Sequence, residues 1–331
     1  MSATTLEKAA ALRRINRGYD QTFQSGRLTI GLVTPLEAHG PDPVPTMEQH
    51  LERVQMAERL GFSAVWLRDV PFHVPSFGDA GQLFDPFVYL GYLAGQTESI
   101  ALGIASVILP LRHPAHVAKA AASADMLSRG RVILGIASGD RPNEYPALNV
   151  PFETRGERFR KAYEYLREVE NSFPVHANPD FGRLDGSVDL LPKPTSQRIP
   201  MLVTGGSQQS PEWITHNTDG WMLYPRPLNV QNRIIRQWRE GLDADGLENK
   251  PVMQPLYIDL ADDPDTSPSP IHLGFRLGIK RLKDYLNALR SIGINHVALN
   301  LRFQQAAIES TLEKLATELL PEFHETSPTT A

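Results

Sequence analysis

The 331-residue chain contains no cysteine, which excludes disulfides, thiolate nucleophiles, iron–sulfur clusters and zinc–thiolate sites together. No uninterrupted apolar run approaches the roughly 20 residues of a membrane-spanning helix. The opening stretch MSATTLEKAAALRRINRGYD lacks the apolar core of a secretory signal. A cytoplasmic protein with no membrane partner is the expectation. Basic residues are scattered and the net charge is −5, so no nucleic-acid partner is expected either. No HExxH and no EF-hand loop occur, and His113-Pro114-Ala115-His116 has no carboxylate or third histidine at matching spacing. These histidines read as surface or capping groups, and no metal is expected. The first β-rich run is not followed by GxGxxG, and no P-loop Gly-Lys-Ser/Thr is present, which argues against dinucleotide and nucleoside-triphosphate sites.

The chain does have the composition of a globular protein, 41% hydrophobic and 21% charged. Eight β-rich runs stand out: Leu28–Thr34, Ala64–Arg68, Ile100–Ile108, Val132–Ala137, Met201–Thr204, Gly220–Tyr224, Val252–Leu260 and His296–Leu301. Helical patterns separate most of them. Thr46 with Gln49 forms a capping box before Leu51, Val54, Ala57 and Leu60, with Gly61 at the C-terminal cap. Asp85-Pro86 starts a second helix, and His113-Pro114 opens one that Ser128-Arg129-Gly130 closes. Thr154 with Glu157 caps another, and a late helix runs from Lys280 to Ile292. Alternation of this kind implies a parallel sheet, and eight repeats fit an α/β fold of the (β/α)8 TIM barrel type better than a doubly wound sheet. The expected organisation is an N-terminal helical extension over 1–27, a single barrel domain over 28–325 and a tail over 326–331. Residues 173–199, rich in Pro, Gly and Asp, read as an insertion between strands 4 and 5. Residues 261–275 read as a mobile loop at the end of strand 7. Either is a candidate lid over an active site.

Ligands of parallel α/β folds bind at the carboxyl ends of the strands, and two polar clusters have that address. Thr204-Gly205-Gly206-Ser207-Gln208-Gln209-Ser210-Pro211 follows a strand and precedes a helix. Its glycines let backbone amides approach an anion, and Ser207 and Ser210 offer hydroxyl donors. The alternative is a plain turn with Ser210 as an N-cap. The segment is not a nucleophile elbow, because Gln209 stands where GxSxG requires glycine. Ser138-Gly139-Asp140-Arg141, with Glu144 and Tyr145 behind it, could supply a hydroxyl, a flexible backbone and a guanidinium to a phosphate or substrate. A surface pair of Arg141 with Asp140 or Glu144 is the structural alternative. Arg68-Asp69 has the right address for a polar role, or forms a structural ion pair. The first loop, Pro35 to Gly40, lines the pocket or merely connects.

Taken together, AERLGFSAVWLRDVPF at 57–72, ALGIASVILPLRHP with AKAAASADMLSRGRVILGIASGD, PFETRGERF at 151–159 and GGSQQSPEW through DGW at 205–221 resemble the bacterial luciferase-like flavin monooxygenase superfamily, in its luciferase-type oxidoreductase branch. The resemblance spans nearly the whole chain. It implies a barrel that binds a reduced flavin at its carboxyl end, FMN most commonly, with the deazaflavin F420 in related branches. Ser207, Ser210 and Gly206 match positions that hold the FMN phosphate, with Gly205 and Gly139 beside them in the same loops. Ser138 matches a phosphate-facing arginine, and Ala105-Ser106 matches a third-strand pair joined by a non-prolyl cis peptide against the flavin ring. Two positions depart from luciferase: Val70 stands where its catalytic histidine lies, and Ala137 where its reactive cysteine lies. Light emission is therefore not expected and the base is unassigned. The implied function is a monooxygenase that takes reduced FMN from a separate flavin reductase and uses O2 on a small-molecule substrate. Asp69, Asp140, Arg141 and Arg226 are the candidate catalytic groups, and a homodimer is the implied assembly. F420-dependent hydride transfer and a non-catalytic flavin-binding protein are the alternatives.

Overall fold

Strands buried on both faces need apolar side chains at nearly every position, and the runs that meet this requirement are the strands of the computed structural model, which describes residues 11–40 and 42–324. They are β1 Thr29–Val33, β2 Ala64–Leu67, β3 Ala101–Ile108, β4 Val132–Ala137, β5 Met201–Thr204, β6 Gly220–Met222, β7 Val252–Leu260 and β8 His296–Asn300. Each pairs in parallel with the next, and β8 returns to β1 with Thr29 opposite His296 and Leu32 opposite Leu299. The sheet is thus a closed (β/α)8 barrel, as expected.

Helices α1 Arg17–Thr22, α2 His50–Arg59, α3 Pro86–Gln96, α4 Pro114–Leu127, α5 Arg155–Glu168, α6 Pro211–Asn217, α7 Leu228–Ala244, α8 Ile279–Ser291 and α9 Ile308–Lys314 surround it. The apolar faces of α2 to α9 pack on the outward side chains of the strands in one core that includes Val54, Leu90, Val117, Phe159, Ile235, Leu286 and Leu312. Among the described residues no helix is long and apolar enough to cross a membrane.

The barrel interior is filled by a second cluster: Val33, Ala64, Trp66, Ala101, Ile133, Leu202, Met222, Met253 and Ala298. Size complementarity sets its packing. A Cβ on Gly103 would lie 2.2 Å from the Trp66 ring, and one on Gly31 would lie 2.7 Å from His296 Nε2, so these two glycines make room for the Trp66 and His296 rings. Tyr19 and Phe23, from α1 and the residue that follows it, join this cluster and close the N-terminal mouth. That is the role of the described part of the 1–27 extension. Residues 1–10 and the expected tail at 326–331 lie outside the described residues.

Three local expectations need correction. Thr46 does not cap α2, which begins at His50 behind a left-handed Gln49. The Glu37 carboxylate takes the amides of Thr46 and Met47 at 2.8 and 3.0 Å, and this long-range clamp delays the helix. Thr154 precedes α5 without a side-chain cap, because its backbone (φ −91°, ψ 5°) is not in the extended conformation that an N-cap uses. The segment 261–275 is not a bare loop: Ser269–Ile271 and Gly274–Leu277 form a hairpin, whose second strand pairs in parallel with Tyr257–Leu260. Residues 173–199 contain a hairpin as well, Val175–Asn178 with Gly182–Asp185. The hairpin region binds the barrel's flank rather than its mouth. Phe181 packs edge-on to His113 and under the Arg158 guanidinium, and the amide and hydroxyl of Thr195 both donate to Asp125.

Candidate active site

All the strands end around one cavity of about 720 Å³, within the roughly 300–1,000 Å³ typical of small-molecule sites. Its floor is the top layer of the barrel interior, including Val33, Trp66, Met222, Met253 and Ala298. Its walls come from the strand ends and the loops after them.

One wall is an anion cradle. After β5 the chain turns through Gly205, Ser207 and Gln208, all with left-handed φ of 55°, 43° and 60°, a geometry that points successive backbone N–H groups into a concavity. A Cβ on Gly206 would meet no atom closer than Gln209 O at 4.0 Å, so that side of the turn is open. The Ser207 hydroxyl donates to Thr204 O and receives the Ser138 amide at 3.4 Å. The Tyr145 hydroxyl donates to the Ser138 carbonyl and fixes the end of β4. Helix α5 starts against the same turn, where a Cβ on Gly156 would lie 2.6 Å from Gln208 Cβ. Arg155 lies at that start and lines the cavity. Its guanidinium stacks 3.8 Å above the Phe152 ring, and its Nε is buried with no partner in the protein. A buried guanidinium N–H without an acceptor is costly, and an anion in the cradle would satisfy it.

A second wall is the bulged end of β3. The Ala105–Ser106 peptide is cis and non-prolyl, the β3–β4 register shifts between Ile104 and Val107, and the Ser106 and Thr204 hydroxyls are hydrogen-bonded to each other. Both residues of the cis pair line the cavity, so bulge and cradle face one space.

The third wall carries the charged groups. Arg68 and Asp69 are neighbours without being partners: Arg68 Nη1 pairs with Asp79 at 2.5 Å, while Asp69 receives the Arg112 fork at 2.7 and 3.0 Å and the Ile108 amide at 3.0 Å. The Asp69 carboxylate is committed to tying β2 to β3. Asp140 and Arg141 line the cavity, and Arg141 lies over the Phe77 ring at 4.9 Å instead of pairing with Glu144. Glu144 is 2% exposed, one of its carboxylate oxygens has no partner, and burial pushes its carboxyl above the usual range against the opposing pull of Arg141.

Of the residues singled out in the sequence, Ala105, Ser106, Ser138, Gly139, Gly205, Gly206, Ser207, Asp69, Asp140 and Arg141 meet at this cavity. Ser210 does not line it; its hydroxyl caps α6 by accepting the Trp213 amide at 3.2 Å. Arg226 is exposed and outside the cavity. The residues 173–199 contribute nothing to the lining, whereas His272 and Leu273 of the 269–277 hairpin do, so only one of the two candidate lids borders the site. The first loop's Pro35 to Gly40 do not line it. Sequence reasoning missed Arg155, Phe152, Trp66, Tyr224 and Tyr257, all of which line it.

The chain belongs to the luciferase-like monooxygenase family, whose model matches residues 28–270. An uncharacterised protein of Mycobacterium tuberculosis is 30% identical over 232 residues, 64% of this chain and 79% of its own length. An F420-dependent hydroxymycolic acid dehydrogenase of the same organism is 29% identical over 197 residues, 58% of this chain and 53% of its own. Among solved structures, the oxygenating constituent of the Pseudomonas putida 3,6-diketocamphane monooxygenase, in complex with FMN, superposes with a TM-score of 0.72. It has 14% identity and covers 90% of this chain and 99% of that one. These two proteins thus use different cofactors, F420 in the dehydrogenase and FMN in the monooxygenase constituent.

Proposed function

We propose that this protein is a monooxygenase that uses reduced FMN and O2 on a small organic substrate. The observation carrying the reading is the anion cradle and the bulged third strand facing a single cavity. Ser138, Gly205, Gly206, Ser207 and Arg155 would hold the phosphate, supported by the partnerless Arg155 Nε and the open side of Gly206. The Ala105–Ser106 backbone would back the ring. When bound, reduced FMN supplies the electrons that activate O2. The chain binds and orients cofactor and substrate, keeps water from the apolar floor, and places the buried Glu144 carboxyl, raised by that burial, where it would move a proton. Asp69 supports the wall through Arg112 instead of touching substrate, and Arg226 has no role in this cavity. A separate flavin reductase would deliver the reduced cofactor.

The test is rapid mixing of protein and reduced FMN with oxygenated buffer. Saturable binding and reoxidation kinetics distinct from those of free FMN are expected; kinetics identical to free FMN at every protein concentration would count against the reading. The F420-dependent relative at 29% identity favours a second reading, F420-linked hydride transfer. Equilibrium dialysis separates the two: tighter retention of F420 than of FMN would select it.

A further inference from the structure

Beyond the cradle, the cavity carries a charge that neither the fold nor the flavin reading uses. Arg141 follows β4, lines the cavity and is only 9% exposed. Its Nη2 reaches the Asp79 carbonyl at 3.3 Å, its face lies over Phe77, and its Nη1 is buried with no acceptor. The acidic groups nearby leave it unmatched. Asp79 is shared by Arg68 at 2.5 Å and Arg302 at 3.2 Å. Asp69 is enclosed by Arg112, Asp140 is exposed to solvent, and Glu144, 2% exposed, makes no ion pair with Arg141. A buried guanidinium that lines a ligand cavity and keeps an N–H without an acceptor is suited to receive an oxyanion, and its planar fork suits a carboxylate. Phe77, Tyr224 and Tyr257 give the surrounding wall an aromatic surface.

The geometry points to Arg141 as the anchor for a small organic acid, its carboxylate on Nη1 and its apolar body against Phe77, Tyr224 and Tyr257. This assignment deepens the flavin reading by naming a substrate class for the same cavity.

Benzoate and benzamide, equal in shape and different in charge, are the probes, titrated calorimetrically into FMN-loaded and flavin-free protein. Saturable benzoate binding is expected, with benzamide at least tenfold weaker. Arg141→Gln is expected to weaken benzoate at least tenfold while FMN affinity changes less than twofold, and Arg141→Lys, which keeps the charge and loses the fork, to fall between. If Arg141→Gln shows no cooperative thermal transition, Arg141→Lys carries the comparison, and several-fold weaker benzoate binding is the expected result. Equal binding of acid and amide, absence of benzoate binding to protein that binds FMN, or loss of FMN affinity in step with benzoate would overturn the assignment. Arg141-dependent benzoate binding in a protein that fails to bind FMN would support the subsite and sink the flavin reading, so the two failures are distinct.

Discussion

Arg155 enters the cradle with a hydrogen-bond donor that the protein leaves unanswered. Charge-assisted hydrogen bonds contribute about 1.5–3 kcal/mol, so Arg155→Ala is predicted to weaken FMN binding by roughly 10- to 150-fold with little change in thermal stability, measured by flavin fluorescence titration. Unchanged affinity would remove Arg155 from the phosphate site. His296 allows a test by pH. Its ring is fully buried, Nε2 accepts from Trp66 Nε1 at 2.9 Å, and Nδ1 lies 2.8 Å from the Thr29 hydroxyl, which gives its own proton to Thr22 O. Only the neutral ring satisfies both neighbours, and burial holds its pKa down to about 3. The unfolded chain, with a pKa near 6.5, binds the proton first. The stability conferred by neutral His296 is therefore complete above about pH 6.5 and is lost as pH falls toward 3, at up to about 1.4 kcal/mol per pH unit. Urea unfolding at several pH values should show this slope in the wild type and a shallower one in His296→Gln; parallel slopes would contradict it. At this scale the sequence was only partly legible. Ser207 and Ser138 sit beside glycines in strand-end loops and could be found by pattern. Arg155 could not, because its place depends on α5 docking against the β5 turn, a contact between residues far apart in the chain.

At the scale of elements, the strands were legible because burial on both faces writes itself as a continuous apolar run, and Asp85-Pro86 and His113-Pro114 marked helix starts that the structure retains. Caps were less legible. Thr46 and Thr154 carry the right residue types, yet Glu37 holds the amides of Thr46 and Met47 ahead of α2 and the Thr154 backbone is not extended, and neither circumstance has a local signature. The glycines inside strands carried information that periodicity alone does not expose. Gly103 faces Trp66 so closely that Gly103→Ala should cost at least the roughly 1–3 kcal/mol of overpacking. Trp66→Leu in the same chain should recover part of that loss, giving a non-additive double-mutant cycle in chemical denaturation. Strict additivity would mean that the two residues do not share the barrel interior.

For the whole molecule, alternation of strand and helix predicted the barrel, and the barrel's rule that sites lie at strand carboxyl ends predicted where to look. It did not predict which segment would border the mouth: composition marked 173–199 and 261–275 equally, and only the latter reaches the cavity, by adding a strand beside β7. The homodimer that the family resemblance implies would have a candidate surface in α3, where Val88 is 71% and Tyr92 45% exposed and a Cβ on Gly91 or Gly95 would meet nothing within 4 Å. Light scattering on eluted protein should give twice the chain mass, falling to one chain for Val88→Asp; a monomeric wild type would remove this surface from the account. The most direct measurement is the affinity for FMN against riboflavin, which differ only in the phosphate. A phosphate held by the cradle predicts FMN binding at least tenfold tighter than riboflavin, a gap of about 1.4 kcal/mol or more, whereas equal affinities would contradict the central claim.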